Sequence, residues 1–537
     1  MAILVDRRRA PASAYTARDR LLERALVVNF VMHGIAMVGM ATLLLPMLPG
    51  GWSSSDAERC AQVAAHAWRF RLGWLPWQGC AVADLGLAIA MVRTPWIPRV
   101  PTLFVLAMTI AAIVPDQYAQ ALWITRGVEL SRTDTAAYLA FERHVFPLTA
   151  GWGALLYTTA AVGWSWSFAR AGTWSRTLTL LSITTWATMF VAALSPLVPE
   201  AARPNLAFVA IANAIGFIQL QVWLGLVAED VLTRARPDEP FGSLARFRYP
   251  GSGLFARLID TVANSRLLRI LLERIPLPEM DSDVTDVVYV NYLVPADALA
   301  PMVPEGLELQ RLGPMNDVAL FTFLTFRHGH FGFAFLAFLA FLGRAGPLRK
   351  LFPSPVQSNW RIYVRDLRTG REGIFFTTIA MTNVPFALGA RMLAAGMPMH
   401  IVRRGDVIHT PSGDLRVMLD PGDGSAPDAE MTLQPSATTE VASTWACPWA
   451  ECWPDYRSFL AYCVPQDRAM SSKPLQKRIS RLEIALDIPI DACQPLSGRV
   501  QSRAAHSIVG AAEPLCFYVP RAGLRFLYEA CDPMDES

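Results

Sequence analysis

Lysine is almost missing from this chain: only Lys350, Lys473 and Lys477 occur in 537 residues, and the rest of the positive charge is arginine. Amine chemistry is therefore confined to three positions. No CxxC pair is present either, and six of the eight cysteines fall late (Cys447, Cys452, Cys463, Cys493, Cys516, Cys531). That spacing excludes a zinc knuckle and a disulfide framework, and the thiols are expected to be reduced and mostly buried. The chain also lacks G-x-S-x-G, H-E-x-x-H and a P-loop, so the nucleophile elbow, the zincin helix and the nucleotide cradle are all excluded. Charged residues make up only 17% and hydrophobic ones 53%, on the apolar side of soluble averages.

The apolar residues are concentrated at one end. Ala25–Leu48, Gly73–Val92, Val145–Phe168, Thr177–Val198 and Leu206–Val227 each meet the ~20 residues that cross a ~30 Å hydrocarbon layer. Val100–Val114 is shorter, about fifteen residues before Pro115-Asp116, and needs tilt, thinning or extension toward Ile124 to span. Trp74, Trp164, Trp166, Trp174 and Trp223 stand near the ends of these runs, as interfacial anchors do. Arg7, Arg8, Arg9, Arg18, Arg20 and Arg24 precede the first run, and Arg234, Arg236, Arg246 and Arg248 follow the last. The positive-inside rule then puts both ends in the cytoplasm with six crossings, although Arg69 and Arg71 count against it. The first run is too long, and its flank too poor in small residues, for a cleaved signal peptide.

Four regions follow: a basic N-terminus (1–24), a six-helix membrane bundle (25–228), a linker with an amphipathic helix (229–280) and a cytoplasmic β-rich domain (281–537). In the linker, Leu254, Phe255, Leu258, Ile259, Val262, Leu267, Ile270 and Leu271 recur at helical spacing among Arg257, Arg266, Arg269 and Arg274. Such a helix either lies in an anionic headgroup layer or packs on the next domain. Gly251-Ser252-Gly253-Leu254-Phe255-Ala256 has the G-x-G-x-x-A form, but no buried strand precedes it and no βαβ pattern follows, so it is a chance match.

Beyond residue 281, Val287–Val294, Asp317–Phe326, Trp360–Leu367 and Gly373–Met381 are β-branched and aromatic runs bounded by turn residues, and read as strands. Arg368-Thr369-Gly370-Arg371 joins the last two as a tight hairpin, Pro385–Ala395 gives a short helix, and strand pairs follow near Ile401–Val407 and Leu415–Leu419. Phe331–Leu342 is apolar throughout, yet at about twelve residues it is too short to span and reads as a buried or membrane-touching helix. The whole is a β-rich α+β barrel or sandwich with few helices.

Several short motifs stand here in a particular order: Asn291-Tyr292-Leu293-Val294-Pro295, Leu299, Val303-Pro304, Gly306-Leu307, Asn359-Trp360-Arg361-Ile362-Tyr363-Val364, Gly373-Ile374-Phe375-Phe376 and Ala390-Arg391. Over about residues 284–510 the chain resembles the bacterial DUF2071 family, which is related to the acetoacetate decarboxylase-like superfamily. The resemblance implies a β-barrel with an internal cavity and no established reaction. It does not extend to the membrane half. Acetoacetate decarboxylases form a Schiff base on a lysine in a glycine-x-proline-lysine-lysine setting. Here Gly396-Met397-Pro398-Met399-His400 stands in its place, and neither a thioether nor an imidazole forms that imine. Schiff-base decarboxylation is therefore not expected.

The candidate ligand-binding residues are Arg361 and Tyr363 on one strand face, Arg391 on the short helix, and Met399, His400 and Phe376 beside them. Each has a plain alternative: a solvated strand face for Arg361 and Tyr363, an ion pair with Glu372 for Arg391, a hydrogen-bonded structural ring for His400. His328 and His330 are two apart but no acid or thiol completes a metal set, so solvent exposure is expected. In the membrane half Asp84 lies mid-span, where a bare charge costs ~3 kcal/mol or more. His33, Asn213, Gln219 and Gln221 are its possible partners, either as interhelical glue or as part of a path. The pattern suits a multi-pass protein of a bacterial inner membrane whose cytoplasmic domain binds, and possibly modifies, a small or lipophilic organic acid. The alternative is a transport or sensing protein with that domain as its regulatory module. Neither cofactor, metal nor nucleic acid is expected.

Overall fold

The computed structural model describes residues 17–47, 55–172, 174–199, 206–235, 238–275, 279–330, 332–333, 353–437, 445–473 and 478–533. They form two compact units, Met1–Arg236 and Pro237–Ser537.

In the first unit, six helices are long and apolar enough to cross a membrane: Arg20–Leu44, Ala67–Arg93, Arg99–Thr133, Thr135–Arg170, Arg176–Leu197 and Ile211–Arg234. The third was the short one by sequence, and it turns out to be 35 residues long. Pro115 sits inside an unbroken α-helix, Arg99–Leu122, which continues through a π-turn at Trp123–Gly127. The proline forgoes one backbone bond without ending the helix. Of the ways to span that the sequence offered, extension toward Ile124 is the one seen, and Asp116 lies inside the helix. Its carboxylate accepts from Gln117 Nε2 at 2.9 Å, from Gln120 Nε2 and from Thr149 Oγ1 of the fourth helix at 2.6 Å. Trp74, Trp164 and Trp223 are buried between helices, with Trp164 and Trp223 stacked at 6.0 Å and Trp223 Nε1 donating to Ser182 Oγ at 2.8 Å.

Asp84 is buried and paired. Asn29 Nδ2 donates to its Oδ1 at 2.6 Å, and His33 Nε2 lies 3.9 Å from the same atom. Asn29 precedes His33 by one helical turn, so both face the second helix together. Of the sixth helix's amides, Gln221 donates to the Phe30 carbonyl at 2.8 Å instead.

The second unit is one sheet of fourteen strands: β1 (Met280–Pro295), β2 (Leu307–Leu309), β3 (Val318–His328), β4 (Gly332–Phe333), β5 (Val356–Asp366), β6 (Glu372–Met381), β7 (Met399–Ile401), β8 (Arg404–His409), β9 (Leu415–Asp420), β10 (Ala429–Pro435), β11 (Arg468–Lys473), β12 (Arg478–Asp487), β13 (Gln494–Gln501) and β14 (Leu515–Pro533). Pairing runs β1-β3-β5-β6-β11-β12-β14 and closes because β14 also pairs β1. The path leaves this ring through β13, β10, β9 and β8. The hairpin between β5 and β6 forms as expected: Asp366 accepts from Arg368 N at 2.9 Å and Thr369 Oγ1 at 2.8 Å, and Gly370 takes the φ of 66° that the turn requires. The short helix is Val384–Leu393, capped by the Asn383 side chain. Most of the Phe331–Leu342 run lies outside the described residues, while Gly332 and Phe333 pair with β1 as the short strand β4.

Strands β1, β3 and β5 are buried on both faces, which explains runs such as VVYVNYLV that do not alternate. Tyr289, Leu293, Leu320, Leu324, Phe326 and Tyr363 belong to one core cluster, with Phe517 and Leu524 of β14. The intervening Val288, Val290, Phe321, Phe323, Trp360 and Ile362 belong to a second, with Val407, Val417 and Met431. The segment 238–275 packs on this unit. Its single predicted helix is two, Leu254–Asn264 and Arg266–Leu272, divided at Ser265, whose side chain caps the second.

If Asn29 and Asp84 only hold helices together, a double-mutant cycle with Asn29→Ala and Asp84→Ala should give a coupling of about 0.6–2 kcal/mol. Detergent unfolding of the four proteins measures it, and a coupling near zero would remove this bond as a source of stability.

Candidate functional site

Period-two alternation on β5 turns Gln357, Asn359, Arg361 and Tyr363 toward the first core cluster. Four polar side chains in a row on an inward face are unusual. Arg361 is 2% exposed. Its Nη2 donates to the Cys463 carbonyl at 2.9 Å and approaches the Tyr363 hydroxyl at 3.3 Å. The guanidinium carbon lies 5.6 Å from the ring centres of both Tyr289 and Tyr363, a cation–π setting. Its Nε has no partner among the described residues, and the neighbours that weigh most on its charge are Tyr363, Tyr289 and Cys463 rather than a carboxylate. A guanidinium remains charged at any working pH, so this is a desolvated cation with a free donor.

Arg361 is one of the residues that line a cavity of about 40 Å³, whose walls are mainly apolar (Leu324, Ile374, Phe376, Ile484, Phe526) with Asn359, Arg361 and Gln466 as polar members. Gln466, Leu486 and Ile488 of this lining are only half-buried. A water needs about 10–15 Å³ of such space, so the cavity fits a few waters or one carboxylate-sized group. A long apolar body does not fit.

Behind the cavity runs a chain of hydrogen bonds that sequence reasoning missed. His328, expected to be exposed, is 1% exposed, because its strand is covered on both faces. Its Nδ1 meets Ser282 Oγ at 2.9 Å and its Nε2 meets Gln357 Oε1 at 2.9 Å. Gln357 Nε2 then donates to Asn359 Oδ1 at 2.7 Å. An amide oxygen only accepts, so the imidazole carries its proton on Nε2. Burial pushes its pKa down to about 4, which keeps the ring neutral. Among the described residues no cluster of metal-ligating side chains occurs.

The hydroxyl and thiol groups nearby are not activated. Burial pushes Tyr289 up to about 12 and raises Tyr363 well above the ordinary phenol. Cys463 Sγ is also raised by burial and bonds Asn291 Oδ1 at 3.2 Å. The site holds one fixed cation among neutral groups.

The six sequence candidates fall in two places. Arg361, Tyr363 and Phe376 stand at or beside the cavity. Arg391, Met399 and His400 are gathered around the 238–264 segment. Arg391 is buried and spends its guanidinium on backbone carbonyls: Nε on Ala263 at 3.1 Å, Nη1 on Met399 at 3.2 Å and Nη2 on Ala245. Burial, with Arg269 and Arg266 nearby, holds its pKa well below the usual range. Glu372, its supposed partner, instead accepts from Arg365 at 2.7 Å. His400 bonds Ser425 Oγ at 2.6 Å and stacks on Phe247 at 5.8 Å, and burial holds it well below 6.5. Lys473 is buried against Glu529 at 3.4 Å. Glu529 and Glu273 outweigh the burial and raise its pKa, which keeps it a protonated, non-nucleophilic amine.

Residues 282–448 match the DUF2071 family, described as an uncharacterized conserved protein, and no curated protein matches the chain. Among solved structures, the enduracididine biosynthesis enzyme MppR with HEPES buffer bound is 17% identical, with TM-score 0.31 over 49% of this chain and 90% of that one. MppR complexed with pyruvate is 16% identical, with TM-score 0.31 over 48% and 91%. An acetoacetate decarboxylase-like enzyme from Sphingomonas wittichii RW1 is 9% identical, with TM-score 0.30 over 47% and 93%.

The depressed pKa of His328 has a signed consequence. The unfolded ring, near 6.5, binds a proton before the folded one does, so stability from this site is complete above about pH 6.5 and is lost as pH falls toward 4. The full effect is about 3 kcal/mol. In thermal unfolding between pH 4 and 7, His328→Gln should lose less stability on acidification than the parent; parallel pH profiles would show that His328 does not titrate this way.

Proposed function

We propose that the second unit binds a small organic anion, a monocarboxylate of a few heavy atoms, at Arg361. The observation that carries this reading is the buried guanidinium whose Nε has no partner among the described residues and on whose charge Tyr363, Tyr289 and Cys463, rather than a carboxylate, weigh most. Desolvating a charge costs several kcal/mol unless an opposite charge or a full set of hydrogen bonds offsets it. Two carbonyl- or hydroxyl-directed bonds and two aromatic faces supply part of this for Arg361, and an entering carboxylate would supply the rest. Asn359 deepens the preference. Its Oδ1 accepts from Gln357, which leaves its Nδ2 as a second donor on a residue that lines the cavity, two residues from Arg361 on the same strand face. Two donors without a competing acid suit an oxyanion. The small free volume argues for a short acid rather than a lipophilic one.

The second unit is read as cytoplasmic and attached by the membrane bundle, from the arginines that flank the first and last spans. Binding is the role assigned to the site. The cavity holds neither an activated nucleophile nor an amine capable of forming an imine.

Replacing Arg361 with Met removes a buried charge while keeping the length of the side chain. Isothermal titration of the full chain in detergent with formate, acetate and propionate should show binding that weakens about 10- to 100-fold in Arg361→Met. Stability should stay level or rise, since an apolar group replaces an uncompensated cation. Unchanged affinity with reduced stability would make Arg361 a structural residue and sink the proposal.

Borohydride treatment in the presence of acetoacetate should leave the mass of the protein unchanged. A trapped adduct on Lys473 would show that its pairing with Glu529 does not suppress amine chemistry.

A further inference from the structure

Large apolar side chains exposed on the second unit are few and scattered, apart from one group. Among its described residues they are Leu254, Phe255, Leu258, Ile275, Met315, Leu367, Ile408 and Tyr528. Three of these fall within five residues, at 85%, 57% and 58% exposure for Leu254, Phe255 and Leu258. At 3.6 residues per turn they form one arc of the Leu254–Asn264 helix, together with Arg257 and Thr261. The opposite arc, Ala256, Ile259 and Ala263, is buried against the domain core. The helix therefore packs on the domain, one of the two alternatives that its sequence offered, and leaves its other arc exposed. Gly253, with φ of 95°, allows the turn that presents Leu254 at the start of the helix.

Arg246, Arg248 and Arg257 are exposed, while the helix's own acid, Asp260, is engaged by the Tyr249 amide at 2.7 Å. Apolar groups that project outward among arginines are the complement of an anionic lipid headgroup layer. The same chain supplies the bilayer: the sixth span ends at Arg234, and the helix begins at Leu254. The second unit begins at Pro237, directly after that span, and this covalent attachment keeps the helix at high effective concentration near that surface.

We propose that Leu254, Phe255 and Leu258 insert into the headgroup region of an anionic bilayer, with Arg246, Arg248 and Arg257 on its phosphates. The surface is separate from the Arg361 cavity, and its occupant is lipid, not a second protein.

The test uses the full chain in liposomes of phosphatidylethanolamine and phosphatidylglycerol, with a benzophenone-bearing phenylalanine at position 255 or 258. Irradiation and mass spectrometry should find phospholipid adducts at both positions, and none at position 528, where Tyr528 is 55% exposed. Exchanging phosphatidylglycerol for phosphatidylcholine should lower the yield several-fold, as screening by added salt should. Cross-links to protein, within one chain or between two, would overturn the proposal, and so would a lipid yield no greater than at position 528.

Discussion

A guanidinium that keeps its charge inside an apolar ring is the constraint around which the second unit is arranged. Arg361 cannot deprotonate to relieve its burial, so every group around it is either a donor's complement or an aromatic face: the Cys463 carbonyl, the Tyr363 hydroxyl, the rings of Tyr289 and Tyr363. The strands that carry these residues are buried on both sides, which keeps water away and, under the proposed function, gives the partnerless Nε its value as a binding group. A surface arginine with the same neighbours would be worth little.

The six apolar helices solve a similar problem with different means. Asp84 and Asp116 lie inside helices, and each is met by neutral donors: Asn29 for the first, Gln117, Gln120 and Thr149 for the second. Amides and hydroxyls directed at a carboxyl let it sit among apolar helices without a strong ion pair. Tryptophans fill the space between helices, as Trp164, Trp186 and Trp223 do.

Much of this was legible in the sequence. Hydropathy located all six apolar helices, and β-branched, aromatic runs located β1, β3, β5 and β6, because both signals are local. The third helix was cut short at Pro115-Asp116, since composition cannot tell a tolerated proline from a terminating one. His328 was misread because a strand covered on both faces buries residues of either parity, and polarity then says nothing about exposure. Arg361 and Tyr363 could be placed on one face by alternation. Arg391 could not be separated from them: two of its carbonyl partners, Ala245 and Ala263, are distant in the chain and leave no pattern. The same is true of the Gln357 bridge, a glutamine that looks like any other.

The ring has an order of assembly written into its pairing. β1 is joined on one side by β3, which follows it closely, and on the other by β14, which begins only at Leu515. A ribosome adding ~5–20 residues per second needs on the order of ten to forty seconds to make the intervening chain. For that time β1 offers an open edge, and the interior around Arg361 is wet. Closure by β14 is thus the event that drains the site, so a nascent chain halted before it would display an apolar, unpaired strand and is the form in which this protein is most exposed to misassembly and to chaperones.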